Sequence, residues 1–320
     1  MTQGPIYSII IPHYNTPELL MRCLHSVPVR EEIQVIVVDD NSPESATYLT
    51  HYPELERPHL EFVQTFEGKG AGYARNVGML RARGEWLIFA DSDDFFVENM
   101  FEVISEYANS PADVVYFRKD SVDSDDVHVK VSRSENINIL IDYYLKTGDD
   151  KRIRTQFSNP VCKMIKNSFV RANGFKFSEV KYANDVLFST LVGCHANLID
   201  ASGKCVYVIA ARQGSLIDAY CTKPGELETR SEEQFKAQTV MREAGIVYEG
   251  MGVAMMRLLV KMLKKDRKLF RSYYWRLDQI YPSRVIALRD LTVGSSVKIK
   301  ASFYLYAVLL EMAGFLRIKI

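Results

Sequence analysis

The sequence predicts an α/β protein, a mostly parallel sheet flanked by helices, with a helical region following it. Three observations predict this class. Short all-apolar runs recur, and each suits a strand covered on both faces. Helical patterns separate them at short loop lengths, as in βαβ units. Acidic residues gather just past the ends of two runs, where open sheets of this class receive ligands.

Taken in order, YSIIIP (residues 7–12) is the first strand, stopped by proline. Thr16, Pro17 and Glu18 open a helix with a cap, a proline at its first position and an acid in its first turn. QVIVVDD (34–40) is the second strand and ends in acids, and Asn41, Ser42, Pro43 and Glu44 start another helix in the same manner. LEFVQ (60–64) is a weaker third strand. The glycine-rich turn EGKGAG (67–72) follows it and leads into a helix. WLIFA (86–90) is the fourth strand and ends abruptly in Asp91, Ser92, Asp93 and Asp94, with Asp94 read as the cap of the next helix. DVVYF (113–117) is the fifth. Beyond it come an edge hairpin over 121–134, an amphipathic helix over 137–146, a strand over 159–165 and a short helix ended by Asn173 and Gly174. A helix starting at Tyr182 and one or two strands over 197–211 complete this part. From Glu226 onward the pattern is helical, with Gly245, Gly250, Pro282 and Gly294 as breaks.

The 320 residues suffice for one large domain or two modest ones. Forty basic and forty acidic side chains cancel, yet residues 251–320 hold 14 Lys/Arg against 4 Asp/Glu, which leaves 26 and 36 for residues 1–250. An acidic body with a basic tail suits a metal-and-nucleotide site in one part and an anionic surface met by the other. Five cysteines without a C-x-x-C pair point to reduced thiols in a cytoplasmic setting and away from disulfides or zinc. The first residues lack the basic segment of a signal peptide, and no apolar run approaches the ~18–20 residues of a membrane span.

Three carboxylates in four residues repel one another unless a cation or hydrogen bonds offset them. A hard divalent cation bridging them to a phosphate is the economical account. SIIIPHYN, VIVVDDNS, GAGYARNVG and FADSDD stand in order, followed by NPVCKMIKNSFVRANGFKFSE, YANDVLFS and RQGSL. Over residues 5–217 the chain resembles the family 2 glycosyltransferases of GT-A fold, and within them the non-processive enzymes of bacterial surface polysaccharides and lipid-linked glycans. The Q-x-x-R-W signature of the processive branch is missing at Arg212.

The resemblance implies an inverting transfer from a nucleotide-diphosphate sugar, UDP by family habit, to a glycan or polyprenyl-linked acceptor. It implies a GT-A domain over 1–220, with a nucleotide-binding half (1–117) and an acceptor half (118–220), before a basic helical region (221–320). Pro12 and Tyr14 would border the base, Asp40 would bond its edge, and Glu18 would approach the nucleoside. Lys69 and Arg75 would serve the base or the diphosphate. Asp91 would meet the ribose or the metal's water, and Asp93 would ligate Mn²⁺ or Mg²⁺; which of the two binds metal directly stays open. Asp185 aligns with the general base, although the family usually shows Glu-Asp where this chain has Asn184-Asp185. No histidine matches a further metal ligand; His13 and His195 read as structural.

Two rival functions share parts of this pattern. A sugar nucleotidyltransferase would want a glycine-rich loop after the first strand, where His13, Tyr14 and Asn15 stand. A non-catalytic partner in glycan assembly would keep the fold, but intact Asp91, Asp93 and Asp185 speak against it. Nothing points to nucleic acid. In the tail, cations alternate with apolar residues over 255–271, which fits a helix on an anionic membrane surface or one packed with a solvated basic face. The segment 302–316 reads as a second interfacial helix or a homodimer contact. The expected location is cytoplasmic, extending to the inner face of the membrane.

Overall fold

The computed structural model of the chain describes residues 4–43, 51–212, 221–248 and 251–281, together with Val308. Two compact units divide the chain, Met1–Ala219 and Tyr220–Ile320. The helix expected from Glu44, the breaks at Gly250, Pro282 and Gly294, and all of 302–316 except Val308 lie outside the described residues.

In the first unit, β1 (Tyr7–His13), β2 (Ile33–Asp40), β3 (Leu60–Thr65) and β4 (Trp86–Phe89) form a parallel half-sheet in the order β3-β2-β1-β4. Helices α1 (Pro17–His25) and α2 (Ala71–Arg81) make the crossovers. Every residue of β1, β2 and β4 is buried, as apolar runs covered on both faces require. The chain leaves β1 toward β2 on one side and returns to β4 on the other. This reversal puts the switch point, the usual ligand crevice, between β1 and β4.

Beyond β4 the pairing becomes mixed. β5 (Phe95–Phe96) and α3 (Met100–Ser105) follow the acidic turn, then β6 (Val114–Asp123), α4 (Glu135–Thr147), α5 (Lys151–Gln156), β7 (Lys163–Lys166), α6 (Asn167–Asn173), α7 (Val186–His195) and β8 (Ile199–Ala211). β7 runs antiparallel to both β4 and β6, and β8 runs parallel to β6 and antiparallel to β5. The fifth expected strand therefore continues to Asp123 and takes up the start of the expected hairpin, whose return survives as a single bridge, Val122 to Lys130. The 197–211 segment is one strand with a register shift at Gly203 and Lys204. The helix expected from Tyr182 starts only at Val186, because Ala183 takes a positive φ of 56°.

The second unit has its own core. Helices α8 (Glu226–Glu243), α9 (Val253–Lys265) and α10 (Arg267–Arg276) bury Phe235, Met255, Leu259, Met262, Phe270 and Tyr274 together. The apolar stripe of α9 is spent inside this unit, which favours the packed basic helix over one whose apolar face enters a bilayer. Arg257, Lys264, Lys268 and Arg267 remain exposed.

Candidate functional site

The C-terminal ends of β1, β2 and β4 bring three groups of residues to one edge. At the end of β1, the His13 Nδ1 lies 3.4 Å from Asp39, and both side chains are fully enclosed. The Thr16 N–H donates to His13 Nε2 at 3.1 Å, so the ring proton sits on Nδ1 and points at Asp39. Burial works against the Asp39 charge, but the hydrogen bonds from His13 and Ser42 outweigh it and hold the carboxyl below its usual range. His13 is held in this loop by Asp39 and the Thr16 N–H, and His195 packs edge-on against Phe175.

Asp40 is buried at the end of β2, and its carboxylate accepts the Gly70 N–H at 2.6 Å. That bond ties β2 to the glycine-rich turn, where Gly70 takes a φ of 91° that glycine alone adopts without strain. Gly72 serves close approach: a Cβ there would stand 2.2 Å from the Ser178 carbonyl oxygen. The 178–184 segment is thereby pressed onto the start of α2.

The acidic turn after β4 is fastened from three sides. The Asp91 N–H donates to the Tyr207 hydroxyl at 2.8 Å, Arg22 of α1 donates to the Asp93 carbonyl oxygen at 2.6 Å, and the buried Asp94 carboxylate accepts the Ala210 N–H at 2.8 Å. Asp94 therefore anchors β8 and does not cap a helix; the residues after it form β5. Burial, with the charges of Asp91 and Asp93 added, pushes Asp94 well above the carboxylate range.

Arg75 is the hub. From α2 it reaches Asp91 at 2.7 Å and the Asn184 side-chain oxygen at 2.9 Å, with its guanidinium 5.3 Å above the Phe177 ring. This accounts for the amide at position 184: the Asn184 oxygen accepts from Arg75 without adding a further negative charge beside Asp91. Asp185, next in the chain, stands at the N-terminus of α7 without capping it. Burial raises its carboxyl, Arg75 pulls the other way, and Asp91 adds to the rise.

Asp93 is one-third exposed, and Arg212 approaches its carboxylate at 3.4 Å. Burial and the Asp91 charge raise it above the usual range. Among the described residues no group of three or more His, Cys, Asp or Glu converges on a metal position. Two carboxylates of one turn, Asp91 facing Arg75 and Asp93 facing Arg212, nonetheless fit Mg²⁺ or Mn²⁺, which take one or two carboxylates and complete their shell with phosphates and water.

The remaining expected residues are more scattered. Pro12 is buried in β1 opposite Val38, whereas Tyr14 is 58% exposed. Lys69 is half exposed, 4.0 Å from Glu179 and over the Tyr73 ring. Glu18 accepts from the Tyr52 hydroxyl at 3.1 Å and lines an open groove with Met21, His25 and His51. Sequence reasoning missed Arg22, Tyr207 and the Arg212–Asp93 contact.

The family model described as Glycosyl transferase family 2 matches residues 8–174, just over half of the 320. Glycosyltransferase GlyG of Streptococcus pneumoniae serotype 4 is 24% identical over 287 residues, 85% of this chain and 91% of that protein. Poly(ribitol-phosphate) beta-N-acetylglucosaminyltransferase TarS of Staphylococcus aureus is 24% identical over 228 residues, 68% of this chain but 38% of TarS. The crystal structure of S. aureus TarS 1–349 in complex with UDP-GlcNAc superposes with a TM-score of 0.58 at 21% identity, over 82% of this chain and 73% of that one, which supports the GT-A architecture.

Proposed function

The chain belongs to glycosyl transferase family 2, and from that premise we propose that it moves a sugar, with inversion, from a UDP-sugar to a hydroxyl of a glycan or polyprenyl-linked acceptor in cell-surface polysaccharide assembly. The observation that carries this reading is the Arg75 bridge, which holds Asp91 and the Asn184-Asp185 pair against one another at the switch point. The relation to TarS, a poly(ribitol-phosphate) glycosyltransferase whose crystal structure contains UDP-GlcNAc, supports a UDP-sugar and a polymeric acceptor.

In this reading the acceptor oxygen bonds to the anomeric carbon as Asp185 takes its proton. The bond from that carbon to the diphosphate breaks, and its electron pair leaves on the phosphate oxygen. Asp93 and Asp91 would hold the divalent cation, Mn²⁺ or Mg²⁺, which when bound supplies positive charge to the departing nucleotide. Arg75 holds the Asp91 carboxylate in place. Asp40 holds the glycine-rich turn, leaving Tyr14, Lys69 and Glu18 to meet the base and ribose. We assign residues 1–117 to the donor, 118–220 to the acceptor and 221–320 to a basic helical region. Among the described residues no helix is long and apolar enough to cross a membrane. The exposed cations of α9 and α10 give this reading a place at the inner, cytoplasmic membrane face; flotation with anionic vesicles tests it, and a protein that stays at the bottom of the gradient removes it.

The reaction itself is tested by hydrolysis of a panel of UDP-, GDP- and dTDP-sugars without acceptor, with Mn²⁺ or EDTA. Slow metal-dependent release of UDP is expected, with Asp185→Asn lowering it by about 10²–10⁴-fold, the usual contribution of a general base. Failure to bind or cleave any of them would return the chain to the non-catalytic partner reading.

A further inference from the structure

The three acids of the turn after β4 are fastened in different ways. The Asp91 carboxylate is taken by Arg75 at 2.7 Å, and that of Asp94 by the Ala210 N–H at 2.8 Å. At Asp93 the bond falls on the backbone instead: a terminal nitrogen of Arg22, on α1, donates to the carbonyl oxygen at 2.6 Å. The Asp93 carboxylate is left one-third exposed, with Arg212 3.4 Å away. The same guanidinium reaches further. Its other terminal nitrogen donates to the Ser124 carbonyl oxygen at 3.0 Å, and the nitrogen on Asp93 also stands 3.3 Å from the Ser124 hydroxyl. Ser124 follows β6, and its N–H donates at 2.8 Å to the carbonyl oxygen of Ala211, the last residue of β8. The Phe95 ring lies against the guanidinium, its centre 5.4 Å from the central carbon. One turn along, the hydroxyl of Ser26, just past α1, accepts the Phe96 N–H at 2.9 Å. The end of α1 therefore grips the 93–96 stretch at two points, and Arg22 joins that stretch to the ends of β6 and β8. The Arg22 Nε–H is enclosed without a partner among the described residues. Such a donor costs free energy, so packing alone does not favour an arginine here.

We propose that Arg22 is a positioning residue: by holding the Asp93 carbonyl it presents the Asp93 carboxylate to the divalent cation, and it touches neither the cation nor the donor itself. The proposal rests on Asp93 being a metal ligand. The peptide between Asp93 and Asp94 is planar. A fixed carbonyl oxygen at one end and an anchored Asp94 at the other set the direction in which the Asp93 side chain leaves the chain. An arginine serves here where a lysine does not, because two nitrogens of one plane reach two backbone oxygens at once.

The test measures Mn²⁺ affinity with UDP present, by loss of the free-ion EPR signal, and UDP affinity in EDTA by calorimetry. It compares wild type, Arg22→Met, Arg22→Lys and Asp93→Asn. In Arg22→Met the Mn²⁺ dissociation constant is expected to rise by about 10–100-fold, the usual effect of removing a group that orients a metal ligand. UDP binding in EDTA is expected to stay at the wild-type value. Arg22→Lys, which keeps one bond of the fork, should fall between wild type and the Met variant, and it serves if the Met variant does not fold. A folded variant whose Mn²⁺ constant stays at the wild-type value, even with a lower melting temperature, overturns the proposal and leaves Arg22 a structural residue. Weakened UDP binding in EDTA overturns it as well, because Arg22 would then meet the nucleotide. The two readings fail separately. If Asp93→Asn loses Mn²⁺ while the Arg22 variants keep it, the Arg22 proposal alone falls. If Asp93→Asn binds Mn²⁺ with UDP like wild type, the metal assignment falls and takes the proposal with it.

Discussion

Asp93 carries the clearest conflict between folding and function. Its carboxyl is raised by burial and by Asp91, so folding disfavours its charge; the stability it allows is present below its unfolded value and lost as pH rises through the folded one. Asp93→Asn is therefore expected to raise the melting temperature of the metal-free protein at pH 8, by roughly 2 °C, while abolishing the stabilisation that Mn²⁺ gives wild type. Differential scanning calorimetry with and without Mn²⁺ checks both. Arg75→Lys is expected to lower kcat/KM for donor hydrolysis by about 10²-fold, because an ammonium does not span Asp91 and Asn184 as the guanidinium fork does. Asp91 and Asp93 stood out in the sequence because carboxylates cluster just past the end of an apolar strand, and Asp185 because it aligns with the general base of the family the chain resembles. Arg22 and Tyr207 did not, since they reach the acidic turn across 71 and 116 residues and are ordinary residues in their own elements.

At the scale of elements, the 178–184 segment and α2 meet at Gly72. Gly72→Ala is expected to cost about 1–3 kcal/mol, since the methyl displaces a backbone carbonyl rather than a flexible side chain. The displaced segment carries Asn184 and leads to Asp185, so turnover should fall further than donor binding; urea unfolding beside KM and kcat separates the two effects. The parallel half-sheet was legible because β1, β2 and β4 are buried, largely apolar runs that end in a proline or in acids. The mixed half was less so. α5 has only six residues and is held by the Arg154 bonds to Asp150, Gly193 and Ala196 rather than by an apolar stripe. β8 looked divisible because Gly203 and Lys204 interrupt its alternation where the register shifts.

For the whole molecule, the buried lysine gives stability a pH dependence of known sign. Lys163 is lowered from 10.5 to about 7 by burial, so between those values the unfolded chain binds the extra proton. Its contribution is fully favourable above the unfolded value and is lost as pH falls through about 7, so stability rises with pH across that window. Urea unfolding at pH 7 and pH 9 should show Lys163→Met with a smaller rise than wild type.

The measurement that tests the central claim most directly is Mn²⁺ binding, followed by loss of the free-ion EPR signal with and without UDP, in wild type, Asp93→Asn and Asp185→Asn. A nucleotide-and-metal site at the acidic turn predicts that UDP tightens Mn²⁺ binding in wild type and in Asp185→Asn, and that Asp93→Asn loses the effect. Equal UDP-dependent binding in Asp93→Asn and wild type would contradict it.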